Sequence, residues 1–226
     1  MIDWDERFRE WAGRISGNRA GSFKIPLVRA KRFAPDIPIL LGGDKTPFFD
    51  SFTESVSLSS VEGQFLFRIL REKQSPDARV FLTHTVPELY RYTFFTLEGI
   101  EGEFLTDFHG RAQLKNCSLD LSKVKVILYP ASAVFKFAVR TGEHLEALTP
   151  DFEATAAKNW RIDVSLTEVS KTETLKIRAA AAHESVPRKI VLIMDRQKTL
   201  ISVPVQGVSL FENPESALEY QINIYE

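Results

Sequence analysis

The chain has 226 residues, is 44% hydrophobic, and sets 29 basic side chains against 30 acidic ones. That length can bury a sizeable core in one large β domain or two smaller units, and the charge balance excludes a uniformly basic nucleic-acid coat or an acidic mimic of nucleic acid. A single cysteine, Cys117, excludes an intramolecular disulfide and fits a reducing compartment.

Residues 2–16 read as one amphipathic helix. Trp4, Phe8, Trp11 and Ile15 recur at four, three and four residues and so share a face. Asp3, Asp5 and Glu6 fall in the first turn and Arg14 in the last, the favourable sense for the helix dipole, and Gly17 and Asn18 supply a stop. The charged N-terminus has no apolar core of a signal peptide, and no run approaches the ~20 apolar residues of a membrane span, so the expected location is cytoplasmic with no membrane contact.

Residues 17–50 show no sustained periodicity. Pro26, Pro35, Pro38 and Pro47 and four glycines mark an extended connector with little regular structure. Its charge is one-sided: Arg14, Arg19, Lys24, Arg29, Lys31 and Arg32 lie between Glu10 and Asp36 with no acid among them. Such a stretch suits an acidic protein surface or a nucleic-acid backbone. Within it Leu40–Thr46 superficially resembles a phosphate loop. Asp44 stands where the glycine before Lys-Thr is needed, and Pro47 stops the helix that should follow.

From about residue 54 the period becomes two. Val56 and Leu58, then Phe65, Phe67 and Ile69, then Val80 and Leu82 alternate with other residues, and Gln74–Asp77 makes a turn. Tyr90–Phe95 reads as a central strand with both faces apolar, and Gly99 and Gly102 mark a bend or bulge. Val124–Tyr129 and Val134–Val139 are two more strands. Residues 142–158 are weakly patterned. Trp160–Thr167, Leu175–Ala181, Ile190–Met194, Leu200–Val205 and Leu218–Ile224 complete about a dozen strands, with a hairpin at Asp195–Lys198. The division expected is 1–50 for helix and connector, 51–141 for one β unit, and 142–226 for a second unit or the rest of one large sandwich.

The segment Glu103–Leu114 resembles the T-D-x-x-G-[RK]-[AF]-x-[FL] stretch of carboxypeptidase-regulatory-like and related prealbumin-like immunoglobulin folds. Thr106, Asp107, Gly110, Arg111 and Leu114 carry the match. The resemblance implies that the Thr-Asp pair ends a strand, that Gly110 supplies a positive φ, and that Leu114 re-enters the core. It implies an antiparallel immunoglobulin-like β-sandwich, and similar modules occur in cytoplasmic bacterial regulatory proteins. The family's following P-G-x-Y is replaced here by Asn116-Cys117-Ser118-Leu119-Asp120.

No motif identifies a reaction. His84, His109, His144 and His183 are far apart and give no metal-ligand spacing. Cys117 lacks a catalytic neighbourhood, and Glu98, Glu101 and Glu103 sit beside glycines on a solvated turn. No catalytic residue, cofactor or metal is therefore assigned. The expected function is a non-enzymatic, regulatory protein–protein interaction, as a subunit of a complex. Its docking residues are Trp4, Phe8, Trp11 and Ile15 on the helix and Arg19, Lys24, Arg29, Lys31 and Arg32 on the connector. The alternatives are a nucleic-acid-associated component that uses residues 14–32, or an enzyme with a dispersed site. Edge strands also leave room for a homo-oligomer.

Overall fold

A computed structural model describes residues 24–29, 52–117, 120, 123–138, 160–169, 172–181, 186–212 and 219–226. The strands are β1 Ile25–Arg29, β2 Phe52–Ser60, β3 Leu66–Glu72, β4 Ala78–Thr83, β5 Phe94–Leu97, β6 Ile100–Leu105, β7 Arg111–Leu114, β8 Val126–Tyr129, β9 Ala133–Ala138, β10 Trp160–Val169, β11 Thr172–Ala181, β12 Lys189–Met194, β13 Lys198–Ser202, β14 Val208–Glu212 and β15 Glu219–Tyr225. One helical turn, α1, covers Pro87–Tyr90.

The expected immunoglobulin-like or prealbumin-like sandwich is not the main architecture. Eight strands form a single antiparallel sheet in the order β6-β5-β8-β1-β2-β3-β4-β7, which curls 289° round an axis into a nearly closed barrel. Period-two alternation reports that one face of each strand is buried, which a barrel interior satisfies as well as a sandwich does. The interior is filled by side chains, among them Leu58, Phe67, Ile69, Val80, Leu82, Phe95 and Leu128. Register shifts at Phe52/Glu54 and Phe95/Leu97 add local twist that helps the sheet curl.

The Thr106–Leu114 run explains the closure. It joins β6 to β7, the two outer strands of the barrel sheet, so its turn spans the open seam rather than linking paired neighbours. Asp107 Oδ1 accepts the backbone N–H of His109 and of Arg111, both at 2.8 Å. Gly110 has φ +72°, and a Cβ there would lie 2.3 Å from the Leu82 carbonyl oxygen. Thr106, buried, donates to the Tyr90 carbonyl at 2.7 Å and accepts from Thr93 N–H at 2.8 Å. This local chemistry serves any tight strand-to-strand corner, which is why it resembles a family whose fold the chain does not show.

Two further corrections concern the N-terminal part. The expected connector contains a strand: β1 pairs with β8 through Ile25↔Leu128 and with β2 through Leu27↔Ser60. Pro26, which argues against a strand, sits just beyond the Leu27↔Ser60 pair, so the N–H it lacks breaks no rung with β2. The helix among the described residues is α1, not an N-terminal one; the expected helix over 2–16 lies outside the described residues.

The remaining strands form a three-stranded sheet, β10-β11-β14, and a four-stranded sheet, β13-β12-β15-β9. They face each other across a second core that includes Trp160, Ile177, Leu192, Phe211 and Ile222. The four-stranded sheet also lies against the barrel wall. Tyr92, Phe94 and Tyr129 of the barrel side pack on Val191, Ile193 and Tyr225. The molecule is thus layered: three-stranded sheet, four-stranded sheet, barrel. β12 is buried on both faces, which accounts for its unbroken apolar run Ile190–Met194.

Candidate functional site

The seam between the barrel and the four-stranded sheet gathers a positive-φ tyrosine, a chain of buried polar groups and several ion pairs. Tyr225 is fully buried and its hydroxyl donates to the Tyr92 carbonyl. The same oxygen accepts from Asn223 Nδ2 at 3.1 Å, and Asn223 Oδ1 accepts from Gln221 Nε2 at 2.7 Å. Burial pushes the Tyr225 phenol above its ordinary range. Tyr92 has φ +51°, an uncommon conformation for a bulky residue. Its hydroxyl donates to the carbonyl of Arg196 at 2.9 Å, and burial, with the Asp107 charge nearby, pushes that phenol up to about 12. Neither phenol is an acid–base group at neutral pH. Both are fasteners.

At one end of β12, Glu103 on β6 lies between two cations. Arg188 Nη2 is 2.8 Å from one oxygen, and Lys189 Nζ donates to the other. Burial pushes the Glu103 carboxyl up, but the Lys189 hydrogen bond and the charges of Arg188 and Lys189 outweigh it and hold it below the usual carboxylate range. The same cations lie over aromatic rings: Lys189 Nζ is 4.4 Å from the Phe94 centroid and Arg188 Cζ 4.9 Å from that of Tyr129. Lys24, exposed, brings its Nζ within 5.9 Å of the same Tyr129 ring. Two cations therefore share one carboxylate, and a third, Lys24, meets one of them at the Tyr129 ring. At the other end of β12, Phe108 of the seam-spanning turn is flanked by Arg91 at 4.0 Å and Arg196 at 5.0 Å, and Arg196 pairs with Glu219 at 3.1 Å.

Of the docking residues expected from the sequence, Lys24 lies on this cationic rim. Arg29 lies at the other end of β1, roughly 17 Å away at ~3.3 Å per residue. Trp4, Phe8, Trp11, Ile15, Arg19, Lys31 and Arg32 lie outside the described residues. The cations that join Lys24, Arg188 and Lys189, were not picked out from sequence. Their one signal was position: two adjacent cations entering an all-apolar strand need a carboxylate close by. Glu103, expected on a solvated turn, is that carboxylate. Tyr90–Tyr92, expected in a strand, instead form the end of α1 and a positive-φ corner, and β5 begins at Phe94.

Among the described residues no group of His, Cys, Asp and Glu is arranged to hold a metal. The His84 ring lies tilted against Phe65, centroids 4.4 Å apart, and accepts the Val86 N–H through Nδ1 at 2.9 Å; Cys117 is buried in the barrel core. Two surface hollows, one beside Arg79, Phe81 and Arg111 and one beside Glu98, Asp120 and Lys123, are open to solvent. No helix among the described residues is long and apolar enough to cross a membrane. No protein-family model, curated protein or solved structure matches this chain.

Proposed function

We propose that this is a non-enzymatic interaction protein that docks an acidic protein partner through its N-terminal segment. Trp4, Phe8, Trp11 and Ile15 supply the apolar contact, and Arg19, Lys24, Arg29, Lys31 and Arg32 the charge. The supporting observation is that Lys24 stands over the same Tyr129 ring as Arg188, which shares the Glu103 carboxylate with Lys189. Residues far apart in sequence thereby extend the basic stretch onto the folded surface. A cationic rim on a packed aromatic seam suits recognition, where complementary charge speeds encounter and selects partners.

The test places a benzophenone amino acid at position 24 of the full chain and, as a control, at exposed Glu62, followed by irradiation in lysate with and without nuclease. The expected result is nuclease-resistant adducts at position 24 whose cross-linked peptides are acidic. Adducts that vanish with nuclease would transfer the reading to nucleic acid. Adducts no different from those at position 62 would remove it.

A further inference from the structure

α1 covers one end of the barrel and props its open seam. β2 and β4 finish at this end and β3 begins there, and Leu89 and Tyr90 of α1 pack against the barrel core. The Leu89 carbonyl accepts from Thr93 Oγ1 at 2.8 Å and the Tyr90 carbonyl from Thr106 Oγ1 at 2.7 Å. α1 thereby holds both the residue before β5 and the first residue of the seam-spanning turn. Glu88 reaches Lys136 on β9 at 3.5 Å, which ties the same helical turn to the four-stranded sheet. A helix of four residues does not persist on its own. Within α1 the one full-turn bond runs from the Arg91 N–H to the Pro87 carbonyl at 3.0 Å.

A histidine fixes the entry to this turn. His84 Nδ1 accepts the Val86 N–H at 2.9 Å, two residues on, as an Asn or Asp side chain does in an Asx turn. Val86 is the N-cap of α1, and its own side chain makes no capping bond. The bond needs a lone pair on Nδ1, so the ring is neutral and carries its proton on Nε2. An imidazolium has N–H on both nitrogens and cannot accept. A proton taken up at Nδ1 therefore sets two N–H groups against each other, beside the Phe65 ring. Burial lowers the pKa of this ring. Among the described residues, the charged groups of the surrounding elements are Glu62 in the turn before Phe65, Glu88 and Arg91 along α1, and Asp107 and His109 in the turn whose Gly110 carbonyl accepts the Leu82 N–H at 2.7 Å. Glu88 is paired with Lys136, Arg91 lies over Phe108, and Asp107 Oδ1 accepts two backbone N–H groups; Glu62 and His109 are exposed. We infer that His84 is a pH-sensitive latch. Neutral, it holds Val86 and with it α1 against the end of the barrel; protonated, it lets go, and α1 and the seam-spanning turn open locally. The latch uses no residue of the Lys24 rim and stands without it.

The test follows amide hydrogen exchange of the full chain at about pH 7.5 and about pH 5, each rate divided by its intrinsic value at that pH. The amides of Val86, Leu89 and Arg91 are expected to lose about tenfold in protection at the lower pH. Urea added below the unfolding transition should leave their rates unchanged, the mark of a local opening, while the rates of buried β12 amides rise. In His84→Asn the side-chain oxygen can take the Val86 N–H and does not titrate, so protection should be the same at both pH values. His109→Asn, in the neighbouring turn, should respond as the unaltered chain does. Protection that ignores pH, an equal pH response in His84→Asn, or rates that climb with urea as those of β12 do would each overturn the inference. Nitrogen-15 shifts of the His84 ring in the unaltered chain decide the matter if His84→Asn does not fold. A ring protonated on Nε2 at neutral pH and titrating below the ordinary histidine value supports the latch, and a proton on Nδ1 at neutral pH overturns it.

Discussion

Gly110 and Asp107 show how much of the barrel's closure rests on single residues. A Cβ at position 110 meets the Leu82 carbonyl oxygen at 2.3 Å and the Tyr90 ring at 2.7 Å, and φ is +72°. Gly110→Ala is therefore expected to cost about 2–4 kcal/mol, from strain and steric displacement together, seen as a lower urea midpoint. Asp107→Ala removes the acceptor of two backbone N–H groups and should cost about 1–2 kcal/mol in the same assay. His109→Ala, beside it in the turn, should stay within about 0.5 kcal/mol. Two titrating residues give separate pH signatures. The Glu103 carboxyl is depressed in the fold, so its contribution is present above the ordinary carboxylate range and is lost as pH falls through its lowered value. Burial lowers the pKa of His84 from its ordinary 6.5. The unfolded chain then takes up a proton that the fold refuses, and stability declines as pH falls below about 6.5. Stability measured against pH should lose its lower step in Glu103→Gln and its upper step in His84→Phe.

At the level of elements, β12 and β11 carry opposite expectations. Both faces of β12 are buried, Leu192 in the core between the two facing sheets and Val191 against the barrel. Leu192→Ala is expected to cost about 2–5 kcal/mol and Val191→Ala roughly 1–2 kcal/mol, since each leaves a cavity in close-packed surroundings. On β11 Lys176 is exposed between buried Leu175 and Ile177, so Lys176→Ala should change stability by less than about 0.5 kcal/mol in the same assay. The contrast was partly legible in the residues. The run Ile190–Met194 has no polar interruption, whereas Leu175, Ile177 and Ala179 alternate with Lys176, Arg178 and Ala180. β1 was not legible, because Pro26 and the surrounding positive charge both argue for a connector; it is a strand because β8 and β2 flank it.

For the whole molecule, the seam makes one layered body from a barrel and two facing sheets. Phe94 meets Tyr225 edge-on at 4.8 Å, and Glu103 and the Tyr225 hydroxyl reach across from barrel to sheet. A single urea transition is therefore expected, coincident by far-ultraviolet circular dichroism and by aromatic fluorescence. Tyr225→Phe leaves Asn223 and the Tyr92 carbonyl without their shared partner and should cost about 1–3 kcal/mol. Combined with Glu103→Gln, it should split the transition, with the two probes no longer coinciding.

By itself the sequence determined the strand-rich class, most strand positions, the Asp195–Lys198 hairpin and the corner at Asp107–Gly110. Each rests on local rules: side-chain alternation, turn chemistry, and a glycine where φ must be positive. The tertiary structure alone decided that eight strands close on themselves and that β6 and β7 are the barrel's outer strands. It alone brought Lys24 and Arg188 to one Tyr129 ring, and Arg188 and Lys189 to Glu103. Alternation says that a face is buried but not against what. Closure, layer contacts and charge clusters arise between residues far apart in the chain, where curvature and register rather than local preference decide which side chains meet.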